Sequence, residues 1–176
     1  VKGAPIAVCK EHLKDGRAQA VIVNSGNANT CNADGVDIAN AMCKAAAQAL
    51  GIAENDMLIA STGVIGQPLP LDPILKGIPM VVEALTDAPE GSHLAEQALM
   101  TTDLREKECA VEFTLGDKTC HVGGIAKGSG MIHINMATML AFATTDVAIS
   151  PTMLDKAMRK AVAATFNMVT VDGDTS

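Results

Sequence analysis

Lys127-Gly-Ser-Gly130 is a glycine-rich turn carrying one cation, and eleven residues after the lysine Ala137-Thr138 sets a hydroxyl inside an apolar segment. Glycine lets a backbone approach a ligand closely. A threonine in such a run is either a packed β-branched residue or a nucleophile, and residue type alone favours packing. Ser61-Thr-Gly-Val-Ile-Gly66 puts the Thr62 hydroxyl beside the Gly63 N–H. Two donors so placed can converge on a developing oxyanion, although Thr-Gly also occurs in ordinary turns. Thr101-Thr102-Asp103 is either the polar stop of a helix or a pair of substrate-facing hydroxyls. Asn24 to Asn32 holds four asparagines in nine residues, which reads as a structured loop. That loop is equally a polar rim of a site or a hydrogen-bonded turn.

Other chemistries are excluded. The spacing around Lys127 is not that of a phosphate loop, and no nucleophile-elbow G-x-S-x-G occurs. His12, His93, His121 and His133 have no metal-ligand spacing, and the five cysteines form no C-x-x-C pair, so no metal is expected. Scattered, odd-numbered cysteines imply reduced and mostly buried thiols. A net charge of −7 with only three aromatic residues argues against nucleic acid and anionic membranes as partners. There is no signal peptide and no apolar run of membrane-spanning length, so a soluble, cytoplasmic protein is expected. The chain starts without Met and stops at a polar turn, which gives the expectation of a fragment of something longer.

The elements that position these residues follow from periodicity. Ala4 to Cys9 and Ala18 to Asn24 read as short strands, the second buried on both faces. Asp34 to Leu50 reads as a helix, with Ala39, Met42, Cys43, Ala46 and Leu50 on one face and Gly51 beyond its end. Met57 to Ser61 is a strand. Asp72-Pro73 starts a helix that Pro79 breaks or offsets, and Ser92 caps another through about Met100. Cys109 to Leu115 and Lys118 to Ile125 form a hairpin about Gly116-Asp117. Met131 to Asn135 and Met139 to Thr144 are strand-like, Ser150-Pro151 starts a helix to about Thr165 with Leu154, Ala157, Met158 and Ala161 on one face, and Phe166 to Val171 closes as a strand. The mixture lacks the regular rhythm of a doubly wound sheet.

Six stretches in this order resemble the ornithine acetyltransferase family, the bifunctional glutamate N-acetyltransferases of arginine biosynthesis. They are Val23-Asn-Ser-Gly-Asn-Ala-Asn29, Ser61-Thr-Gly-Val-Ile-Gly66, Met100-Thr-Thr-Asp103, Lys127-Gly-Ser-Gly-Met-Ile132, Asn135-Met-Ala-Thr-Met-Leu140 and Thr170-Val-Asp-Gly-Asp-Thr-Ser176. The resemblance spans nearly the whole chain. It implies an α+β fold of mixed sheets with packed helices, a layered sandwich of the type shared with β-aminopeptidases. It implies self-cleavage between Ala137 and Thr138, with residues 1–137 belonging to an α chain and 138–176 opening a β chain.

By the same resemblance, Thr138 takes the acetyl group of N-acetylornithine, ornithine leaves, and glutamate accepts the group to give N-acetylglutamate. Thr62 and Gly63 hold the oxyanion; Lys127 and Thr101 or Thr102 bind substrate, with Thr101 the preferred of the two. No cofactor is tightly bound, and acetyl-CoA is a co-substrate of the bifunctional members only. The α and β chains associate, in larger assemblies. Ile134 stands where the family usually has Pro, and further site residues of the family fall beyond Ser176. The alternatives are an amide hydrolase or aminopeptidase on the related fold, against which a threonine at the cut speaks, and a catalytically incomplete fragment or uncut precursor.

Overall fold

A computed structural model describes residues 2–133 and 139–175. The chain divides into two units, residues 1–91 and 92–176. Each is α+β with one sheet.

The first unit is built on α2, Gly35–Leu50, which is the helix expected from the sequence. Asp34 occupies its N-cap position without a side-chain capping bond, and Gly51 ends it with φ 69, a left-handed conformation that glycine adopts without penalty. Ala39, Met42, Cys43, Ala46 and Ala47 are buried along one face, against Met57 and Ile59 of β2 (Met57–Ser61). Fully burying a Met or Ile side chain contributes roughly 1.5–3 kcal/mol, and each alanine methyl less. β2 pairs in parallel with β1, Ala20–Asn24, with Asn24 opposite Ser61. The α2 crossover between them makes a β–α–β unit. β1 is only partly covered, Val21 being 46% exposed, so the expected burial on both faces is corrected.

Ala4 to Cys9, read from sequence as a strand, lies in a helix, α1 (Ala4–His12). Pro5 lies in its first turn, where a missing N–H costs nothing. Long-range bonds then tie it to β2: Ile59 N–H donates to Cys9 Sγ at 3.3 Å, and His12 Nδ1 lies 2.6 Å from the Met57 carbonyl oxygen. α3 runs Leu71–Glu83, starting one residue before Asp72 with Pro70 at the N-cap. Pro79 lies inside it rather than ending it.

α4, Pro89–Leu99, begins three residues before Ser92, so its first turn precedes the start of the second unit. That unit's sheet has the order β3-β4-β5, all antiparallel, with β3 Glu108–Leu115, β4 Lys118–Lys127 and β5 Leu140–Thr145. Gly116, φ 66, makes the expected two-residue hairpin turn. α5, Pro151–Ala164, starts as expected: the Ser150 hydroxyl accepts from Met153 N–H. Its apolar face is not buried, with Leu154 43% and Met158 42% exposed. Phe166–Met168 is a 3-10 turn rather than a strand. Within 166–171, Thr170 forms an isolated bridge to His133 among the described residues, so the strand reading of 166–171 is corrected to a turn and a single pairing.

All five cysteines are free. Cys43 and Cys120 are buried, whereas Cys31 and Cys109 are exposed, so burial is less general than composition implied. No described helix is long and apolar enough to cross a membrane.

Candidate functional site

In the first unit the end of β2 runs into the glycine turn. Thr62 is buried and its N–H donates to the Asn24 carbonyl at 3.0 Å; Val64 N–H donates to Gly26 O at 3.2 Å, and Ala28 N–H returns to Val64 O at 2.9 Å. The parallel ladder is thus prolonged past both strands, with Asn27 bridged to Val64. Between the Thr62 and Val64 donors lies the Gly63 N–H, in a residue with φ 130. Among the described residues it has no hydrogen-bond partner. A backbone N–H beside a threonine hydroxyl is the kind of donor pair that can receive an oxyanion.

The asparagine-rich loop shapes this turn from beneath. Asn24 Nδ2 donates to Asn27 O at 2.8 Å, Asn27 Nδ2 to Pro68 O at 3.1 Å, and the buried Asn29 donates from Nδ2 to Gly35 O at 2.7 Å. Of the two readings of the loop, these bonds support the hydrogen-bonded turn.

The second unit holds a polar cluster where β4 ends. Lys127 is 8% exposed, and its Nζ donates to the Thr101 hydroxyl at 2.8 Å. Burial, the main cause, lowers the ammonium's pKa; the attraction of Asp103 works against this and the repulsion of Lys107 adds to it. Thr101 and Thr102 are both exposed, and of the two it is Thr101 that Lys127 engages.

Asp103 ties the cluster together. Its carboxylate, with none of the side chain exposed, accepts from Gly128 N–H and from Lys107 Nζ, each at 2.6 Å, and from Thr101 N–H at 3.2 Å. Burial pushes its pKa up, but the bonds from Lys107, Gly128 and Thr101 outweigh this and hold the carboxyl below its ordinary value. Lys107 is anchored in turn: its N–H donates to the wholly buried Glu96 at 2.9 Å, and its carbonyl accepts from Ala126 N–H at 2.9 Å.

The far end of the same turn is gripped by a second carboxylate. Asp172 accepts from Met131 N–H at 2.7 Å and Ile132 N–H at 3.0 Å. Met131 has φ 57, which is uncommon for a residue with a side chain. Val171 N–H and the Thr170 hydroxyl both donate to Ile132 O, at 2.9 and 3.1 Å. The chain is therefore held at Gly128 by Asp103 and at residues 131–132 by Asp172.

The sequence-derived site residues fall as follows. Thr101, Lys127 and the Gly128 backbone are brought together in the second unit, whereas Thr62 and Gly63 belong to the first. Ala137 and Thr138 lie outside the described residues. Among the described residues no group of three metal-ligating side chains is assembled. Sequence reading assigned no role to Asp103, Lys107, Glu96 or Asp172. The four-residue spacing of Asp103 and Lys107 was the one available signal, and it is a weak one outside a helix.

Together these features define an α+β protein with a glycine-built donor turn and an enclosed lysine–threonine–aspartate cluster. The chain belongs to the ArgJ family, whose family model matches residues 1–176. It is 49% identical to the arginine biosynthesis bifunctional protein ArgJ of Caldanaerobacter subterraneus subsp. tengcongensis, over all of this chain and 43% of that protein. It is also 49% identical to the ArgJ of Symbiobacterium thermophilum, over all of this chain and 44% of the relative. The chain thus spans less than half the length of these relatives.

Among solved structures, the ArgJ crystal structure from Bacillus halodurans superposes with a TM-score of 0.67 at 36% identity, covering 80% of this chain and 72% of that one. The ornithine acetyltransferase of Mycobacterium tuberculosis, crystallised with ornithine, gives a TM-score of 0.69 at 34% identity with the same coverage.

Proposed function

We propose that this chain carries part of the machinery of an acetyltransferase that moves the acetyl group of N-acetylornithine to glutamate through an ester on Thr138. The observation that carries the reading is the enclosed Lys127 with its Nζ on the Thr101 hydroxyl. A buried lysine beside a hydroxyl at the end of a strand suits the carboxylate of an amino acid, which an ammonium meets as a point charge. The relative solved with ornithine supports that ligand class.

In this reading the Ala137–Thr138 bond is cut by the chain itself, so residues 1–137 form part of an α chain and 138–176 open a β chain. The cut frees the α-amine of Thr138, whose ordinary pKa of about 7.7–8.0 lets it accept the hydroxyl proton near neutral pH. The hydroxyl oxygen attacks the acetyl carbonyl, and the Thr62 hydroxyl and Gly63 N–H receive the charge that develops on its oxygen. The amine of ornithine takes up the proton as the amide bond breaks. The glutamate amine then attacks the acetyl ester and returns the proton to Thr138. The two half-reactions share one site, as ping-pong transfer requires. Acetyl-CoA is a co-substrate if the protein is of the bifunctional kind. The α and β chains stay associated, in a larger assembly, in the cytoplasm.

Intact mass of the full-length protein tests the cut. Wild type should give two pieces divided before Thr138 and Thr138→Ala one uncut chain; cutting of the alanine variant at the same bond would rule out self-cleavage. Label from N-acetyl-labelled acetylornithine should reach the β piece and pass to glutamate. Its release chiefly as acetate would instead indicate an amide hydrolase.

A further inference from the structure

We propose that Asp103 is a positioning residue of the substrate cluster, one that fixes the Thr101 hydroxyl and the Lys127 ammonium at the spacing needed to take the carboxylate of an ornithine-like amino acid. The inference rests on the functional reading above for its ligand class. Thr101 follows α4 and Lys127 ends β4, so sequence proximity does nothing to bring them together. Asp103 spans that gap with one side chain, accepting from the Thr101 N–H on Oδ2 and from the Gly128 N–H on Oδ1. Each of these backbone groups is in the anchor residue itself or next to it.

Three properties make this positioning rather than direct recognition. The carboxylate is enclosed and already receives three donors, which leaves it unable to meet a ligand's ammonium group. Bonds from N–H groups to a carboxylate are short and roughly twice as strong as those between neutral groups, so they define distance well. The third donor, Lys107 Nζ, offsets the carboxylate's charge, and Lys107 is itself fixed through its backbone to Glu96 and Ala126. The anchors are thus referred to α4 and β4 through a chain of bonded groups rather than to a loop.

Asparagine in place of Asp103 retains one acceptor oxygen and turns an NH2 group toward donors, so one of the Thr101 and Gly128 N–H groups loses its partner. The test is made on the full-length protein with ornithine as probe, by calorimetry, alongside acetyl-transfer kinetics. Asp103→Asn should weaken ornithine binding and raise the KM for acetylornithine by about tenfold while kcat changes less than about threefold. Lys107→Met, which keeps both backbone bonds, should change binding less than about threefold. Combined with Lys127→Met, Asp103→Asn should add nothing further, because the two act through one contact.

Wild-type affinity for ornithine in Asp103→Asn, or full additivity with Lys127→Met, would overturn the proposal. An equal loss in Lys107→Met would overturn it too, because charge rather than spacing would then be the cause. Should Asp103→Asn not fold, Asp103→Ser, whose single, shorter hydroxyl cannot bridge the two N–H groups, is expected to show the same weakening. Calorimetry does not depend on acetyl transfer. Failure of label to pass to glutamate therefore counts against the functional reading alone, and unchanged ornithine affinity against Asp103 alone.

Discussion

Gly63 packs directly on the Gly26–Asn27 peptide. A Cβ built on Gly63 would fall within 3.0 Å of the carbonyl carbon and oxygen of Gly26 and of Asn27 N, and the residue has φ 130, a conformation that side chains rarely adopt. The close approach accounts for glycine at position 63, whereas Gly26, 37 positions earlier, meets open space and owes its glycine to a φ of 92. Gly63 supplies the bare backbone that lets the turn after β2 lie against the loop after β1. Beside that contact the ladder is prolonged through Thr62, Val64 and Ala28.

Gly63→Ala should therefore cost both strain at positive φ and displacement of a neighbouring peptide. Backbone strain alone is of order 1–3 kcal/mol, and the displaced atoms are backbone, which cannot swing aside. The expected loss is roughly 2–4 kcal/mol, read as a lower urea midpoint with unchanged slope. Gly66→Ala also meets positive φ, at 80, but open space, and should cost less. Equal midpoints for wild type and Gly63→Ala would show that the Gly26 contact is not rigid.

Cysteine reactivity should separate by depth. Burial, with smaller contributions from Cys9 and Glu54, pushes the Cys43 thiol up to about 12, so almost none of it is thiolate at pH 8. Cys31 and Cys109 are exposed. With a maleimide at pH 8 and mass mapping of the products, Cys31 and Cys109 should be modified first and Cys43 only when urea unfolds the chain. Modification of Cys43 at the rate of Cys109 in the native protein would contradict its placement on the buried face of α2.

The elements with internal signals were legible in the sequence, and those decided by distant contacts were not. α2 was read correctly because its buried positions recur at helical spacing and Gly51 marks its end. The β3–β4 hairpin was read correctly because Gly116 sits at its turn. α1 was misread because Ala-Val-Cys among apolar residues suits either state over so short a run. What settles it is the contact of Cys9 and His12 with β2, about fifty residues away, although Pro5 was a usable hint.

At the site the same division holds. Thr101 and Lys127 were identifiable by type within motifs, but which threonine meets the lysine depended on the fold. Asp103 was visible as a letter in Met100-Thr-Thr-Asp103, while its function as a hub comes from Gly128, 25 residues on.

The Asp103 carboxyl gives a pH signature. Its folded pKa lies below the ordinary value of 3.8, so the stability it supplies is complete above about pH 4 and is lost as pH falls through the lower folded value. Comparing urea midpoints at pH 6 and pH 3, the wild type should lose more on acidification than Asp103→Asn, which has no proton to take up there. The difference between the two proteins should shrink toward acid. A constant difference across this range would mean that Asp103 is not ionised in the folded cluster.

The two adjacent threonines should behave differently. Lys127 Nζ donates to Thr101 Oγ1 at 2.8 Å, and the Thr101 N–H is in addition held by Asp103, so both the hydroxyl and its backbone are fixed. Thr101→Val keeps the shape and removes the oxygen, leaving a buried ammonium without that acceptor. A hydrogen bond to a charged group is worth about 1.5–3 kcal/mol, so the KM of the full-length enzyme for acetylornithine should rise by at least roughly tenfold. Thr102→Val removes a hydroxyl that Lys127 does not engage, and surface substitutions of this kind usually change stability by less than about 0.5 kcal/mol. Its KM should remain close to wild type. Steady-state kinetics of both variants checks the assignment, and a larger effect at Thr102 than at Thr101 would transfer the substrate-facing role to the second hydroxyl.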